Sequence, residues 1–537
     1  MNLATKDEIM RSAIMSLFLS CTCAWILAQT AIAPAGEGSF NNPYQISSLQ
    51  NLYWIAASDD IVPSPSQQSR WSSNYIQLAD IDATSTATWF DGQGWSPIGR
   101  YIDEGDPDNL PFTGSYNGGD HVINGIHIYL PSTLVVGFFG YIEGGMITNL
   151  GLSNVEVRGG WDVGSLVGYQ RYNSVVDNCH SSGNVSGHIW VGGLVGTQQY
   201  NSTISNCHSS GTVNVGGGNA GGILALQQIL CTVINCSSTV TVSGGQANVG
   251  GLVGEQEGSS ISKSFYKGNV NGQSVVGGLV GNSIWSSTIS SSYSLGTIRG
   301  TSVVGGLVGS QQESFINDCY SMANVYGGAF IGGLVASMAD ATITNSYCAG
   351  HVSGQSTVGG LVGSHLGSRA ICSYWNIETT GQTTSVCGNG RLTEEMTFPH
   401  AANTYLNWSF TDIWAVDTSF SINSGYPYLS DVPVSSEDDV STALEEPYLR
   451  NYPNPFNPET TICFYLPENT EQMDLKIYNL RGQLVRTLIE PAPYPKGKAS
   501  LVWNACDDHG RKVSSGFYFY RLRTPFFTRM GKMTLLK

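Results

Sequence analysis

Short runs of valine, leucine and isoleucine alternate with glycine and polar residues through the middle of the chain, and this pattern repeats. A Val-Gly-Gly-Leu-Val-Gly-like signature occurs nine times between Val135 and Gly363, at intervals of 27 to 29 residues. Each unit offers three β-branched runs bounded by Gly, Ser or Asn, which are typical of strands and too short for helices. Because such a unit cannot bury its own apolar face, the units must stack. The pattern predicts an all-β protein whose centre, residues 135–367, is a right-handed parallel β-helix of about nine rungs.

The repeated Gly-Leu-Val-Gly, followed by Ile-x-Asn-Cys-Tyr/His-Ser-x-Gly-x-Val, resembles the signature of bacterial GLUG-repeat proteins. The stretch that starts Gly36-Glu-Gly-Ser-Phe, and the later Ser373-Tyr-Trp-Asn and Gly425-Tyr-Pro-Tyr-Leu, resemble segments that flank the repeats in such proteins. The resemblance implies a β-rich N-terminal cap over residues 29–134 and a C-terminal cap over residues 368–431. It also implies a large surface or secreted protein of the adhesin kind, in which the repeats themselves are not catalytic.

The N-terminus carries the features of an export signal. Lys6 and Arg11 precede an apolar run from Ala13 to Ala28, which predicts a signal peptide over residues 1–28. The run is too short to span a bilayer, and the sequence predicts no transmembrane helix. A lipid anchor at Cys21 is an alternative. We therefore expect an extracellular or outer-surface protein that is exported through the periplasm.

The C-terminal part differs from the repeats in charge and in pattern. Residues 447–537 hold 13 Lys+Arg and 7 Asp+Glu, against 11 and 33 in the rest of the chain. An acidic, Ser-rich stretch, residues 432–446, predicts a linker, and the alternating runs beyond it predict an immunoglobulin-like β-sandwich. Tyr452-Pro-Asn-Pro-Phe-Asn-Pro and the closing Gly531-Lys-Met-Thr resemble the sorting domain of the type IX secretion system and a related module of hook-capping proteins. The resemblance implies the secretion machinery as a partner, and whether the domain is cleaved or retained stays open.

The charge and the residue types disfavour several functions. A net charge of −16 argues against nucleic acid, whose phosphates the acidic body would repel. A β-helix lyase or hydrolase needs paired carboxylates, or a carboxylate-held metal beside Lys or Arg. Residues 135–367 hold nine acidic and five basic residues at scattered repeat positions. We therefore predict a protein that is not an enzyme and has no cofactor and no metal site.

One position of the repeat carries aromatic residues in successive units, and two tryptophans lie in the same units. Stacked rungs would place this column on a flat face with a spacing of about 4.8 Å, suited to binding sugar rings or protein side chains. Packing of these aromatics against turns or flanking domains is the alternative. The predicted ligand-binding residues are Trp190, His208, Phe265, Trp285, Tyr293, Tyr320 and Tyr347.

Two amide columns and the cysteines complete the predicted sites. Stacked amides can each donate to one rung and accept from the other, so we predict structural ladders of Gln170, Gln198, Gln227 and Gln256 and of Asn178, Asn206 and Asn235. Cysteine and serine interchange in one repeat column, which favours a small inward position over disulfides there. Possible disulfides join Cys372 to Cys387 and Cys463 to Cys506.

Together these features predict an exported, adhesin-like binding protein that presents a face of its solenoid to a glycan or protein ligand. Two alternatives stay open. One is a β-helix polysaccharide lyase or hydrolase, and the other is a passive surface or matrix component.

Overall fold

A computed structural model describes residues 29–432, 449–452, 456–466 and 469–536. It confirms the predicted fold class, with 51% strand, 6% helix and a β-solenoid of about 12 turns followed by a C-terminal β-sheet region. The predicted signal peptide and nearly all of the predicted linker lie outside the described residues. Contacts divide the chain into two compact units at residue 434. Within the described ranges, no helix has the length and apolar composition needed to cross a membrane.

Each rung of the solenoid contains four strands, one more than the three runs of the sequence suggest. In one rung these are Trp190–Gly192, Val195–Gln199, Thr203–Ser205 and His208–Val215. The apolar signature run makes two strands because the chain turns at its glycine pair. Every strand pairs in parallel and in register with its equivalents one rung away, and we call the four resulting columns stacks 1 to 4.

The bounds of the strands follow the repeat closely. Stack 1 holds Val135–Val136, Asp162–Val163, Trp190–Gly192, Asn219–Gly221, Asn248–Gly250, Val275–Gly277, Val303–Gly305, Phe330–Gly332 and Thr357–Gly359. Stack 2 holds Phe139–Glu143, Val167–Arg171, Val195–Gln199, Leu224–Gln228, Val253–Glu257, Val280–Ile284, Val308–Gln312, Val335–Ala339 and Val362–Leu366.

Stacks 3 and 4 belong to one continuous sheet that bends at a corner. After the long strand Met146–Arg158, which spans both, stack 3 holds Val175–Asp177, Thr203–Ser205, Thr232–Ile234, Ser260–Ser262, Thr288–Ser290, Phe315–Asn317, Thr342–Thr344 and Arg369–Ile371. Stack 4 holds His180–Gly187, His208–Val215, Ser237–Ser238, Thr241–Gly244, Phe265–Asn271, Tyr293–Arg299, Tyr320–Ser321, Asn324–Gly327, Tyr347–Cys348, Val352–Gly354, Tyr374–Asn376 and Asn389–Arg391.

The interior of the solenoid is a continuous apolar core. In the rung described above, Leu194, Ile204 and Val213 are fully buried, and equivalent Val, Leu and Ile side chains repeat along the axis. Burying one such side chain contributes about 1.5–3 kcal/mol, which is why the units are stable only when stacked. The glycine pair has a steric cause. A Cβ atom on Gly250 would lie 1.9 Å from the carbonyl oxygen of Val253, because stack 2 crosses closely over the end of stack 1.

The N-terminal region continues the solenoid instead of forming a separate cap. Its strands Tyr44–Ile46, Asn74–Gln77 and Ser115–Asn124 pair in parallel with one another and then with Met146–Arg158. This continuation accounts for the difference between the nine predicted rungs and the roughly 12 turns observed. The remaining elements of this region are the strands Ile81–Asp82 and His127–Tyr129, the helices Leu49–Ala56 and Gln67–Trp71, and a 3-10 stretch, Thr84–Gly92.

The segment after the last rung contains little regular structure. It includes the short helices Ile377–Thr380 and Thr393–Met396 and an antiparallel pair, Trp414–Ala415 with Tyr428–Leu429. We call residues 393–432 the cover segment, because it lies on the outside of stack 4.

The second compact unit consists of two antiparallel sheets. One sheet contains Leu449–Tyr452, Thr460–Leu466 and Gly497–Trp503, and the other contains Leu484–Tyr494, Thr470–Asn479, Gly516–Arg523 and Thr528–Leu535, each in spatial order. Trp503, Ile462 and Leu475 are buried in a single core that both sheets contribute to. This two-sheet arrangement is that of a small β-sandwich.

Candidate binding groove on the solenoid

Four aromatic rings stand one above another on the outer side of stack 4. Phe265, Tyr293, Tyr320 and Tyr347 stack with centroids 5.0, 4.7 and 5.2 Å apart and with planes within 7° of parallel. In-register pairing of their strands places the same position of each unit directly above the last. The aromatic column expected from the repeat is therefore present.

Most of this column is buried, so the prediction that Tyr293, Tyr320 and Tyr347 form a ligand face is wrong. These tyrosines are 0%, 1% and 0% exposed. The cover segment packs on them, with the Trp414 ring 6.2 Å from that of Tyr320, and Tyr347 Oη donates to the Pro427 carbonyl at 2.8 Å. Burial raises the pKa of Tyr320 and Tyr347 well above its ordinary value. The cluster includes Tyr374, Met396, Tyr405, Trp408, Trp414, Tyr426, Leu429 and Val432.

An open groove lies beside Asp431 of the cover segment. Asp431 Oδ2 is 3.1 Å from Lys263 Nζ, and both side chains are about half exposed. The groove has a volume of about 380 Å³. Its lining residues come from four successive rungs and are Asn178, Asn206, Cys207, His208, Asn235, Cys236, Ser237, Lys263 and Phe265. Of the predicted ligand residues, the structure brings His208 and Phe265 together here.

The groove exists because a small residue interrupts the ring column. Ser237 pairs with Phe265 on one side and with His208 on the other. Two strand spacings therefore separate the rings of His208 and Phe265, roughly 9.6 Å. One ring inserted midway would lie about 4.8 Å from each, which is within the range for aromatic stacking. Phe265 already stacks on Tyr293 with one face, so its other face is turned towards this slot over Ser237.

Sequence reasoning missed the importance of Ser237 and of Lys263. Both stand in repeat columns otherwise dominated by larger or amide residues, so the interruption itself was the available signal. His208 Nδ1 lies 2.9 Å from Ser237 Oγ, which fixes the imidazole at the edge of the slot. The slot therefore has an aromatic wall, an imidazole wall and a hydroxyl floor.

The asparagine column forms the corner between stacks 3 and 4 and one side of the groove. Asn178, Asn206 and Asn235 have φ values of 51°, 53° and 54°, the left-handed region that asparagine tolerates better than most residues. Asn178 Nδ2 donates to Asn149 Oδ1 at 2.8 Å, and Asn235 Nδ2 donates to Asn206 Oδ1 at 2.6 Å. Asn206 Nδ2 donates instead to Asp177 Oδ1 at 2.7 Å, so these three asparagines do not form one continuous amide ladder. Lys263 continues this corner with a φ of 49°.

The other two predicted ligand residues lie elsewhere. Trp190 begins a strand of stack 1 and packs edge-on against Trp161, with centroids 6.1 Å apart. Trp285 is 57% exposed on the turn between stacks 2 and 3. The seven predicted residues thus do not form one face, because equivalent repeat positions share a column whereas neighbouring positions of one unit lie on different sides of the solenoid.

The glutamine column does not form the amide-to-amide ladder that we predict from the sequence. Gln170 and Gln256 each donate through Nε2 to two backbone carbonyls, one in their own rung and one in the next. Gln227 Nε2 donates to the Ser260 carbonyl in the next rung. Gln198, fully buried in the same column, has no partner for its side-chain amide among the described residues. Glutamine here secures the turn into stack 3.

The expected disulfides do not form. Cys372 and Cys387 are free thiols, because Cys372 packs against the aromatic cluster under the cover segment whereas Cys387 packs against the solenoid interior. Cys506 is also free, and the side chain of its expected partner Cys463 lies outside the described residues. Cys207 is buried between Cys179 and Cys236 in adjacent rungs, and burial raises the pKa of its thiol.

Asp162 is a buried carboxyl on the outer side of stack 1. It is 8% exposed and accepts a hydrogen bond from Thr197 Oγ1 in the next rung, and burial raises its pKa to about 7. Because an unfolded aspartate titrates near pH 3.9, the stabilising effect of the protonated form is complete below about pH 4 and is lost as the pH rises to about 7.

We expect Asp162→Asn to remove that loss, because the amide carries no charge at any pH in this range. At pH 8 the variant should be more stable than the parent by about 4 kcal/mol, with little difference at pH 4. Thermal unfolding of both proteins from pH 4 to pH 8 measures the effect. If the curves of Tm against pH for the parent and the variant are parallel, ionisation of Asp162 does not destabilise the folded protein.

In the described ranges, acidic and thiol side chains do not come together in the way that the ligands of a metal ion do. No group of three or more His, Cys, Asp or Glu side chains there could hold a metal ion. The polar groups of the groove are instead amides, hydroxyls, an imidazole and one lysine, which can bind hydroxyl-rich or anionic ligands through hydrogen bonds.

Two successive rungs of the solenoid match a known repeat. Residues 159–186 and 190–214 match the model of the GLUG motif. The solenoid contains GLUG repeats. Glycines of these rungs lie where stack 2 passes close to stack 1, and their Asn-Cys step is the left-handed corner beside the groove.

The sandwich after the GLUG solenoid also matches a known family. Residues 454–524 match the model of the FlgD Ig-like domain. Within the sandwich, Trp503 is buried, its Nε1 donates to the Cys506 carbonyl at 3.0 Å, and Tyr520 Oη donates to Asn451 Oδ1 at 3.1 Å. The chain therefore combines GLUG repeats with a C-terminal Ig-like domain.

One curated relative is halomucin of Haloquadratum walsbyi (strain DSM 16790 / HBSQ001), with 36% identity over 156 residues. The match covers 28% of this chain and 2% of halomucin, so the chain spans a small fraction of the length of that relative.

Solved structures with some likeness include a proposed immunoglobulin A1 protease of Bacteroides ovatus, at 16% identity and a TM-score of 0.33, over 74% of this chain and 95% of that one. An IgA1 protease matches at 20% identity and a TM-score of 0.35, over 53% and 21% of the two chains. Latent PorU of Porphyromonas gingivalis matches at 19% identity and a TM-score of 0.15, over 21% and 10%. Likeness at this level says nothing about activity.

Proposed function

We propose that the protein is an extracellular or cell-surface, adhesin-like binding protein that holds a glycan in the groove of its GLUG solenoid. The slot over Ser237 carries this proposal, since it offers two ring faces about two strand spacings apart. Aromatic faces stack on the apolar faces of sugar rings, and the amides of Asn206 and Asn235 can bind their hydroxyl groups. The GLUG repeats and the likeness to halomucin support a location outside the cell.

The proposal includes binding without catalysis. The groove is lined by amides, hydroxyls, an imidazole and Lys263, and the carboxylate at its edge, Asp431, is paired with that lysine. Hydrolysis or elimination of a glycosidic bond calls for two suitably placed acid and base groups around the bond. We propose further that the Ig-like domain engages the type IX secretion machinery, a role its family match is compatible with.

Filling the slot tests the proposed site directly. Ser237→Phe adds the ring that is missing between His208 and Phe265, and the column already accepts rings in four successive rungs. We expect the variant to fold normally and to lose affinity for the glycan by about tenfold or more, because the inserted ring occupies the stacking position. The measurement is retardation of the full chain on native gels cast with a panel of soluble polysaccharides, with the same mixtures assayed for released fragments.

Ser260→Phe is the matched control. Ser260 faces outward on stack 3, in the column where the parent already carries Phe315, so the added ring is tolerated there and lies away from the slot. This control should bind like the parent. If Ser237→Phe and the parent are retarded equally, the glycan does not bind in the slot. If fragments of the polysaccharide are released, the protein is an enzyme and the proposal of binding without catalysis is wrong.

A further inference from the structure

We propose that the groove selects saccharides that carry a carboxylate or sulfate group, with the sugar ring against Phe265 and the anion against Lys263 and Lys267. The inference rests on the proposed function and names the class of its ligand. It follows from the placement of positive charge in a solenoid that has very little of it.

Two of the five basic residues in residues 135–367 flank the single aromatic wall of the slot. Lys263 lines the groove, two residues before Phe265. Lys267 lies two residues after Phe265 in the same strand, so it shares the outer face and is about 6.7 Å further along. The rest of the chain outside the C-terminal domain has a strong excess of acidic residues. A local pair of lysines beside a ring in that setting indicates recognition of an anion.

The position of Lys263 in the corner column supports the same conclusion. The equivalent residues of three earlier rungs are Asn178, Asn206 and Asn235. Asn178 and Asn235 each donate to the asparagine one rung earlier, whereas Asn206 donates to Asp177 Oδ1. Lys263 replaces an amide by a long cationic side chain at the rung where the slot opens. The later residues of this column are Ser291, Asp318, Asn345 and Cys372, so Lys263 is the cation of the column among the described rungs.

The anion that faces Lys263 in the structure is Asp431, at 3.1 Å, with the lysine 46% and the aspartate 63% exposed. An exposed pair of this kind contributes little to folding, so a ligand carboxylate or sulfate can replace Asp431 without disturbing the fold. Asp177 is a further acidic group at this corner. Its Oδ1 accepts from Ser205 Oγ at 2.6 Å and from Asn206 Nδ2 at 2.7 Å, which engages its charge locally.

The test compares the affinity of the full chain for three polymers. Polygalacturonate carries carboxylates, dextran sulfate carries sulfates, and dextran is uncharged. We expect the full chain to bind at least one of the two polyanions more tightly than dextran. The double variant Lys263→Gln/Lys267→Gln should lose about tenfold in affinity, and its binding should depend less on salt, because two partly exposed charge contacts are removed. Whether the carboxylated or the sulfated polymer binds identifies the anion.

Arg299→Gln is the matched control. Arg299 is a solenoid cation that lies over the Tyr326 ring at 4.6 Å, at the far end of the stack 4 strand one rung beyond that of Phe265. The variant should bind like the parent. Dextran bound as tightly as the polyanions, with the double variant unaffected, would overturn the selection for anions and leave the glycan groove standing. If the double variant and Ser237→Phe both bind the polyanions as tightly as the parent, the polyanions bind outside the groove and the inference is wrong. Binding to none of the three polymers counts against both proposals.

Discussion

Gly250→Ala should prevent the solenoid from folding normally, at a cost of about 3 kcal/mol or more. The new Cβ atom would lie 1.9 Å from the Val253 carbonyl oxygen and 2.8 Å from the backbone nitrogen of Gly281. Both neighbours are backbone atoms of strands that are hydrogen-bonded on two sides, so neither can move aside without breaking a parallel ladder. Because each rung is stabilised mainly by its neighbours, damage at one rung spreads to the next.

Thermal unfolding followed by far-ultraviolet circular dichroism measures this effect. Gly217→Ala is the matched control, since its Cβ atom would have no neighbour nearer than 3.7 Å in the same solenoid. We expect the control to keep the Tm of the parent. A Gly250→Ala protein with an unchanged Tm would mean that stacks 1 and 2 are not packed backbone to backbone at the glycine pair.

The repeated part of the fold could be predicted from the sequence because the same pattern of apolar residues and glycines recurs in each unit. Nine copies of the signature establish the strands, their parallel pairing and the inward Val, Leu and Ile positions. The split of the signature run into two strands was not visible, because it results from the close approach of backbones at residues such as Gly250. The extension of the solenoid before Val135 was also hidden, since Tyr44–Ile46 and Asn74–Gln77 lack the signature.

The candidate site could be predicted only in part, for a related reason. Stacking placed His208 and Phe265 in one column, but no repeat marks the single cover segment that buries Tyr293 and the rings beyond it. Trp414 occurs once, far along the chain, and nothing in its neighbourhood indicates what it packs against. Periodicity reports contacts between units, whereas contacts of the cover segment with the solenoid depend on the tertiary fold.

Trp414→Ala should expose the aromatic column and destabilise the first compact unit by about 3–5 kcal/mol, as removal of a buried Trp usually does. The Trp414 ring is 1% exposed, with centroids 4.3 Å from Trp408 and 6.0 Å from Tyr347, and its Nε1 donates to Asp318 Oδ1 at 3.1 Å. Losing it leaves a large cavity and an aspartate without that donor. Thermal unfolding and dye binding to exposed apolar surface would report the change.

The buried tyrosines provide a second readout that a simple loss of stability would not produce. In the parent, burial keeps the pKa of Tyr320 and Tyr347 well above its ordinary value, so they ionise only when the cover opens. In Trp414→Ala, we expect a larger part of the tyrosine absorbance than in the parent to titrate near pH 10, the ordinary range. Trp285→Ala is the control, because its side chain is 57% exposed and its removal should change stability by less than about 0.5 kcal/mol. If both variants titrate like the parent, the cover segment does not depend on Trp414, and the boundary that opens the groove beside Lys263 must be set by other contacts.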